Sequence, residues 1–517
     1  MRAFSDIRPL VFWPPAFLLL VALAFSVISF DAFLAGATAI NNFILKNFGW
    51  LITSGAALSV TTIVAILISP IGNVRIGGAD AKPLLKRWNW FAITLCTTIA
   101  TGILFWGVAE PLFHVAGPPQ FADAEPNSPE AARFALSTMF MHWAITPYAI
   151  YAVPSLAFAL AYYNLGKNYS LGGTLSIAWG PLGKGAGAAI VDALALFALI
   201  AGVAASLGAG VLTLTGGAER VLGVDDTIGI RFLIILIIVF TYVASSISGL
   251  QKGIKILSDL NIRIFLFLAL VVFAAGPSVD ILRLGGAALV DYVADFLPRS
   301  VMIDGGEDRE WMRSWTVFYF ANWMAWAPIT SLFLGRIAFG YTVREFVLFS
   351  LVAPACFSII WMTIFSGATL SIEAAQPGVL QAALQSLGPE SVIYAVFDFL
   401  PFAAGLSLAL IFTTYISFVT AMDSNTHSIA SVCLRAGRQS DELAGQGQWI
   451  KIFWGALIGA VSFIMTATNG IDGIRMLSNL GGAPGVLILL GSIAVLVRLL
   501  LNPAILGQSK DQSVSAD

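Results

Sequence analysis

Twelve mostly apolar stretches are spread along the 517-residue chain, and they limit its fold more than any other feature. An α-helix rises 1.5 Å per residue, so about 20 residues cross the roughly 30 Å hydrocarbon core of a bilayer. Lipid offers the backbone no hydrogen-bond partners, so such segments must be helical. The sequence therefore predicts an all-α membrane protein with 12 transmembrane helices. These windows, numbered as spans 1 to 12, are 10–30, 47–70, 90–113, 137–162, 187–214, 228–247, 256–275, 314–334, 345–367, 400–422, 450–468 and 482–502.

Composition supports this class and excludes several others. Apolar residues make up 58% of the chain and charged residues only 11%, whereas a soluble protein carries about 25% charged residues. The net charge is −2 without a basic cluster, so no nucleic-acid partner is expected. Cys96, Cys356 and Cys433 have no metal-ligand spacing, and their odd number in apolar segments argues against a disulfide framework. No cofactor is predicted. A cleaved signal peptide is the alternative for the first apolar run, which is long for a signal core.

Lysine and arginine predict the orientation. Seventeen basic residues fall on the side that carries both termini and nine on the other side. Basic residues concentrate on the cytoplasmic side. We therefore expect a multi-pass protein of the cell (inner) membrane with both termini in the cytoplasm. Between spans 7 and 8, Val279 to Val301 mixes apolar and charged residues, which favours an interfacial helix on the outer surface.

Span 3 carries small and hydroxyl residues mid-membrane, from Thr97 to Gly102, and ends in Glu110-Pro111. Such a stretch can unwind and present backbone amides and helix ends to ions and carboxylates. Close packing of helices through small residues is the alternative.

Spans 4 and 8 concentrate aromatic residues near prolines. The aromatic residues are Trp143, Tyr148 and Tyr151 in span 4, and Trp323 and Trp326 in span 8. Their helical spacing allows each set to share a face. Aromatic residues near span ends normally form interfacial belts, but these lie within a few turns of Pro147 and Pro328. A permanently charged onium group cannot be neutralised and offers no hydrogen bond, so ring faces are its natural partner. The pattern thus predicts a site for a methylated onium compound.

Several motifs resemble those of the betaine/choline/carnitine transporter family. They are Gly102–Pro111 (GILFWGVAEP), His142–Tyr151, Trp315–Pro328, Arg75–Asp80 (RIGGAD), Arg336-Ile337, Val343–Phe346 (VREF) and Phe418–Asp423 (FVTAMD). The resemblance runs from span 1 to span 11 and is most specific in span 8. It implies a leucine-transporter-like fold, a 5+5 inverted repeat preceded by two extra helices, and often a homotrimer.

The resemblance also implies a division of the chain. The segments are 1–89 (the N-terminal tail and spans 1 and 2), 90–275 (repeat 1), 276–313 (the external helix and loop), 314–502 (repeat 2) and 503–517 (a short cytoplasmic tail). The two repeats contain spans 3–7 and spans 8–12.

Carried over by position, the family's aromatic cage corresponds to Trp143, Tyr148, Tyr151 and Trp323, with Trp326 on the path below. Tyr148 stands where many members have Trp, which still supplies a ring. Asn322 replaces the first residue of the usual Trp-Trp pair, which bears on substrate identity.

Ion coupling is where the chain departs most from the family pattern. Thr420 matches a sodium-binding hydroxyl, but its neighbour is Ala421 in place of Ser, and span 5 has Leu199 and Val203 where Thr would be expected. Arg263 in span 7 would place a fixed positive charge near the vacant cation site, as in sodium-independent relatives. A self-neutralising Asp259–Arg263 pair at i, i+4 is the alternative.

Glu110 is a further coupling candidate, as a gate or proton relay, with a structural role at the helix end as the alternative. His142 is expected to be a packed, hydrogen-bonded histidine, with a proton shuttle as the alternative, and Asp423 is expected to cap or hydrogen-bond at the end of span 10. No nucleophile, base and orienting acid occur together, so an enzyme is not expected.

The leading hypothesis is a secondary active transporter importing a methylated-onium zwitterion such as glycine betaine, dimethylsulfoniopropionate or a carnitine-like compound. Rings cannot distinguish N⁺ from S⁺. Choline is less favoured because Gly102 adds no carboxylate beside the cage, whereas the carboxylate of a zwitterion can meet amides at Ala100, Thr101 and Gly102. Alternatives are a choline, unmethylated-amine or amino-acid transporter and a sodium-independent exchanger. A sensor or channel on the same fold is the hypothesis from another class. The coupling ion would be Na⁺, with Thr420 as its candidate site, or H⁺.

Overall fold

The computed structural model describes residues 6–99, 102–248, 251–301, 306–435 and 446–507. Within these ranges the chain is helical and has no β-strand, only two isolated β-bridges, Ile7–Leu434 and Arg75–Thr342. The helices are α1 Pro9–Ile28, α2 Phe30–Ile68, α3 Arg87–Ile99, α4 Gly102–Ala116, α5 Pro129–Trp143, α6 Ile145–Ala159, α7 Leu171–Trp179, α8 Gly185–Leu222, α9 Ile228–Ser248, α10 Gln251–Ala275, α11 Ser278–Ser300, α12 Arg309–Met312, α13 Phe318–Ile337, α14 Val343–Val347, α15 Ala353–Ala375, α16 Val379–Leu387, α17 Val392–Phe397, α18 Ala403–Cys433, α19 Gln446–Leu501 and α20 Ala504–Gly507.

The described helices account for twelve membrane crossings. Eleven helical stretches are long and apolar enough to cross a bilayer by themselves, and α3 with α4 form a twelfth crossing whose two parts differ in direction by 56°. Short π-helical segments continue α6, join α12 to α13 and join α14 to α15. The predicted all-α architecture with 12 spans is therefore confirmed.

Two other breaks in the helices matter for the interior. Ala144 separates α5 from α6 with φ −104° and ψ −110°, directly after Trp143. Gly470 divides α19 into the eleventh and twelfth crossings with φ 49° and ψ −126°, a conformation that favours glycine. Each break changes the rotational phase of the residues that follow it.

Glycines allow the second half of α19 to approach α13 closely. A Cβ atom on Gly482 would lie 2.6 Å from the Cα of Ala321, and one on Gly485 would lie 2.1 Å from the carbonyl oxygen of Met324. Only hydrogen fits there, so the two helices pack backbone to backbone. With α8 and α6, they form the buried centre of the molecule.

The N-terminal segment identifies one side of the molecule, which we call the terminus side. Asp6 lies on this side, and its carbonyl accepts from the amide of Arg435 at 2.9 Å. Arg336, at the end of α13, lines the same cavity as Arg8 and Arg435 and therefore lies on the terminus side too. Trp315 therefore lies toward the opposite side, at the other end of the same span.

Hydropathy windows located the crossings but not the helix ends. Helix α2 begins at Phe30, far ahead of the window at 47, and α18 continues to Cys433, past the window end at 422. Asp423, expected near the end of span 10, consequently lies buried within α18. Lipid selects for apolar side chains only within the hydrocarbon core, and helices can continue beyond it. In the segment Val279–Val301 the structure has the amphipathic helix α11, which packs on α5 and α15.

Candidate functional site

A small cavity lies among α3 to α6, α8, α13 and the second half of α19. Its volume is about 30 Å³, room for about two water molecules. Aromatic rings form much of its wall. The lining residues are Thr98, Gly102, Trp106, Trp143, Tyr151, Ala205, Ser206, Ala209, Phe318, Asn322, Trp323, Trp326, Ile474 and Ser478.

Three of the predicted cage residues meet at this cavity. The ring centroids of Trp143 and Trp323 are 5.2 Å apart at 90°, and those of Tyr151 and Trp323 are 6.0 Å apart at 73°. All three side chains are almost fully buried. The rings contact one another edge to face, so a group as large as a trimethylammonium enters only when they move apart.

Hydrogen bonds fix three of the four indoles that line the cavity. Trp143 Nε1 donates to Glu110 Oε2 at 2.9 Å, and Trp323 Nε1 donates to the carbonyl oxygen of His142 at 3.0 Å. Trp326 Nε1 donates to the carbonyl of Gly202 and to the hydroxyl of Ser206, both at 3.0 Å. Each of these indole N–H groups thus has an acceptor within the protein, and the rings supply apolar wall of the cavity.

Glu110 is the centre of a buried polar cluster behind Trp143. His142 Nδ1 lies 2.6 Å and His114 Nε2 lies 3.0 Å from Glu110 Oε1, and none of the three side chains is exposed. An ionised carboxylate only accepts, so both imidazoles donate to it, and His142 Nε2 accepts from the Thr316 hydroxyl at 3.0 Å. The same residues are close enough to hold a metal ion, but mutual hydrogen bonds account for the cluster. Sequence reasoning missed His114, although the Glu-Pro-x-x-His spacing puts it one turn after Glu110.

Two of the other predicted substrate-binding residues, Asn322 and Gly102, line the cavity. The Oδ1 atom of Asn322 accepts from the Ser478 hydroxyl at 3.0 Å. Gly102 lies against Trp143, where an added Cβ would come within 3.0 Å of Cη2. Ala100 and Thr101 lie outside the described residues.

Tyr148 departs from the predicted cage. Its hydroxyl is 2.9 Å from the Ser358 hydroxyl on α15, and its buried ring is not among the side chains that line the cavity. The prediction assumed one continuous helix through Trp143 and Tyr151. Ala144 interrupts that helix, and on α6 itself residues three apart differ by about 60° in direction, so Tyr148 contacts α15 while Tyr151 lines the cavity.

The coupling candidates lie in contrasting surroundings. The Thr420 hydroxyl is buried and donates within its own helix, to the carbonyls of Ile416 at 2.9 Å and Ser417 at 3.1 Å. The Arg263 side chain is 71% exposed and pairs with Asp259 at 2.8 Å. The expectation of a fixed charge in a buried cation site is therefore wrong for Arg263, and the i, i+4 pair is what the structure contains.

A larger cavity of about 620 Å³ opens on the terminus side. Five basic residues contribute to its lining: Arg8, Lys167, Lys184, Arg336 and Arg435. One of them is neutralised locally, since Arg8 pairs with the buried Asp192 at 2.7 Å. The remaining positive charge gives this vestibule an attraction for anionic groups.

The arrangement of broken helices around a central cavity is that of a secondary transporter. A solved structure supports the fold: a substrate-bound, outward-open Na⁺-coupled sialic acid symporter superimposes with a TM-score of 0.50 over 88% of this chain and 86% of that one. At 12% sequence identity, this likeness shows the fold alone, which is leucine-transporter-like.

The particular family follows from sequence comparison. The sequence model for BCCT, the betaine/carnitine/choline family transporters, matches residues 10–504, so the chain belongs to that family. Glycine betaine transporter 1 of Vibrio parahaemolyticus is 31% identical over 84% of this chain and 82% of its own length. The high-affinity choline transport protein of Escherichia coli is 31% identical over 93% of this chain and 70% of its own length. The chain is thus a multi-pass membrane transporter and not an enzyme.

Proposed function

We propose that the chain is a secondary active transporter that imports a small methylated-onium zwitterion. Glycine betaine, dimethylsulfoniopropionate and carnitine-like compounds belong to this class. One observation carries the proposal: Trp143, Tyr151 and Trp323 converge on one small cavity among the membrane-spanning helices. Trp326 continues the aromatic wall.

Ring faces suit this cargo because an onium charge is permanent and has no hydrogen to donate. Each ring contributes roughly 0.5 to 2 kcal/mol to such a contact, depending on desolvation. Glu110 supports the same assignment, since its buried negative charge lies behind the Trp143 indole. The carboxylate of the zwitterion is proposed to meet the amides of Ala100, Thr101 and Gly102.

Asn322 favours the second candidate, transport of choline or an unmethylated amine. Its amide lines the cavity beside the rings, where it can hydrogen-bond a hydroxyl or an N–H group of a substrate. The Escherichia coli relative, named for choline transport, supports keeping this candidate.

The coupling ion is proposed to be Na⁺ near Thr420 or H⁺ at Glu110, with sodium-independent exchange as the alternative. Thr420 supplies one buried hydroxyl, and Glu110 supplies a buried carboxylate that touches the cage through Trp143. We further propose an inner-membrane location with cytoplasmic termini, and a homotrimer as the assembly.

A thermal-shift screen of the purified protein tests substrate and coupling together. We expect glycine betaine and its sulfonium analogues to raise the unfolding temperature more than choline or unmethylated amino acids do. A shift that is larger in NaCl than in KCl supports sodium, and one that varies with pH in either salt supports the proton. Stabilisation by amino acids alone would refute the onium assignment.

Gly102→Ala tests whether the Trp143 position matters for binding. The new methyl group would lie 3.0 Å from Trp143 Cη2, so the indole must shift or α4 must move. We expect substrate affinity to fall about fivefold, in line with the cost of overpacking a buried contact. Gly36→Ala on α2 is the matched control, because its Cβ would meet nothing within 4 Å. Equal affinities in the two variants would contradict the proposed contact.

A further inference from the structure

Arg475 lies in a second aromatic enclosure next to the central cavity. It follows the Gly470 break on α19, and its guanidinium carbon is 4.5 Å from the ring centroid of Trp315 and 5.6 Å from those of Trp106 and Phe318. Three rings around one guanidinium form a strong set of cation–π contacts. The rings hold the charge in place but accept none of its hydrogen bonds.

The guanidinium has unused donors. Its Nε and Nη2 atoms are buried and have no hydrogen-bond partner among the described residues. Its nearest acidic partner is weak: Asp472 Oδ1 lies 4.0 Å from Nη1, and the Asp472 side chain is 74% exposed. A buried charged donor without an acceptor is costly. The fork of an arginine matches a carboxylate, which would satisfy both atoms at once.

This enclosure adjoins the substrate cavity. Trp106 and Phe318 line both, and Ile474 and Ser478 of the arginine's own helix line the cavity. Arg475 lies about 4.5 Å along the helix from Ser478, since they are three residues apart. It lies toward Trp315, and so on the side of the cavity opposite the termini.

Two opposite charges lie beside the end of the cavity that faces away from the terminus side. The Arg475 guanidinium lies near Trp106, and Glu110, one turn after Trp106 on α4, already accepts from His114, His142 and Trp143. Phe318 and Trp323 both line the cavity, and they are five residues apart on α13, which corresponds to about 7.5 Å along the helix axis. That separation suits a small zwitterion with its onium group at Trp323 and its carboxylate toward Phe318 and Arg475.

We propose that Arg475 is a specificity-determining residue that receives the carboxylate of a zwitterionic substrate through Nε and Nη2. The inference rests on the proposed function and adds an outer subsite to the amides of span 3. A zwitterion satisfies both unused donors as its onium group approaches the cage. A simple cation such as choline meets only a repelling charge there. The subsite therefore discriminates betaines from choline before the substrate is enclosed.

Binding to the purified full-length protein tests this inference with a matched pair of ligands. Glycine betaine and choline share a trimethylammonium group and differ in the carboxylate. For Arg475→Gln we expect the Kd for glycine betaine to rise at least tenfold, while the Kd for choline is unchanged or lower. Arg475→Lys keeps the charge without the fork, so a smaller loss for glycine betaine is expected. Arg283→Gln is the control, because the Arg283 side chain is 78% exposed on α11.

Two results for Arg475→Gln would overturn the inference. An equal loss of affinity for both ligands would mean that Arg475 only holds the three rings in place. An unchanged Kd for glycine betaine would mean that Arg475 takes no part in binding. Should Arg475→Gln fail to fold, Arg475→Lys carries the test, and an unaltered preference for glycine betaine over choline in that variant refutes the carboxylate contact. A wild-type protein that binds neither trimethylammonium compound refutes the proposed function, and the inference falls with it.

Discussion

Trp323→Ala is expected to weaken substrate affinity tenfold or more, equivalent to about 1.4 kcal/mol of binding free energy. Trp323 contacts the rings of both Trp143 and Tyr151, so its loss opens the cage on two sides. It also leaves the carbonyl of His142 without the indole donor. Affinity is best measured as the Kd for glycine betaine, with the unfolding temperature recorded in parallel.

Two further substitutions separate ring loss from general damage. Trp323→Phe keeps a ring face but lacks the N–H group, so we expect it to bind substrate better than Trp323→Ala. Trp13→Ala removes the same side chain from α1, where it is 49% exposed, and should leave the Kd unaltered. The cage assignment fails if Trp323→Ala and Trp13→Ala bind glycine betaine equally well.

Hydropathy could predict the membrane architecture because lipid imposes it. A segment that crosses the bilayer must be helical and mostly apolar whatever its neighbours are, so each of the twelve windows carries its own information. The ends of α2 and α18 could not be predicted in this way, since they extend past their windows as helices.

Residue spacing could predict which rings share a face only where a helix is continuous. Trp323 and Trp326 lie on the unbroken helix α13, and both line the cavity. Trp143 lies before the break at Ala144, and Tyr148 and Tyr151 lie after it, so spacing alone could not relate their directions. Within α6, Tyr148 bonds to Ser358 on α15 whereas Tyr151 lines the cavity, a difference that depends on packing.

Contacts between residues that are far apart in the chain could not be predicted from the sequence. Arg475 is remote in the chain from the three rings that enclose it, and its position depends on how the Gly470 break directs the second half of α19. His114 joins Glu110 locally, but His142 reaches it from another helix. In a hydropathy window, each of these buried polar residues only interrupts an apolar segment. Tertiary packing is needed to show that they form one cluster.

Glu110→Ala is expected to have a larger effect than any substitution within the cage itself. Its carboxylate accepts N–H groups from His114, His142 and Trp143 in a fully buried setting. Alanine would leave all three donors without an acceptor and would free the Trp143 indole. Removing one member of a buried, hydrogen-bonded charge cluster typically costs about 3 to 5 kcal/mol. We therefore expect a marked fall in unfolding temperature together with at least a tenfold loss of substrate affinity.

Glu110→Gln distinguishes hydrogen bonding from charge. The amide oxygen can accept from Trp143, and the amide nitrogen can donate to both imidazoles if each changes tautomer. His114 can do so because its Nδ1 has no partner in the described structure, and His142 can because the Thr316 hydroxyl can accept as well as donate. Glutamine should therefore restore most of the stability that alanine loses. If Glu110 is the proton site, the pH dependence of transport should disappear in this variant.

Glu373→Ala provides the matched control for both variants. Glu373 is also a buried carboxylate that accepts three N–H groups, from Gly378, Leu380 and Gln381 at the start of α16, but it does not contact the cage. We expect it to lower the unfolding temperature, as Glu110→Ala does, while the Kd for glycine betaine stays unchanged. A Glu110→Ala protein that binds substrate as tightly as the Glu373→Ala protein would show that Trp143 does not depend on the carboxylate. In that case the link between the buried cluster and the substrate would be refuted.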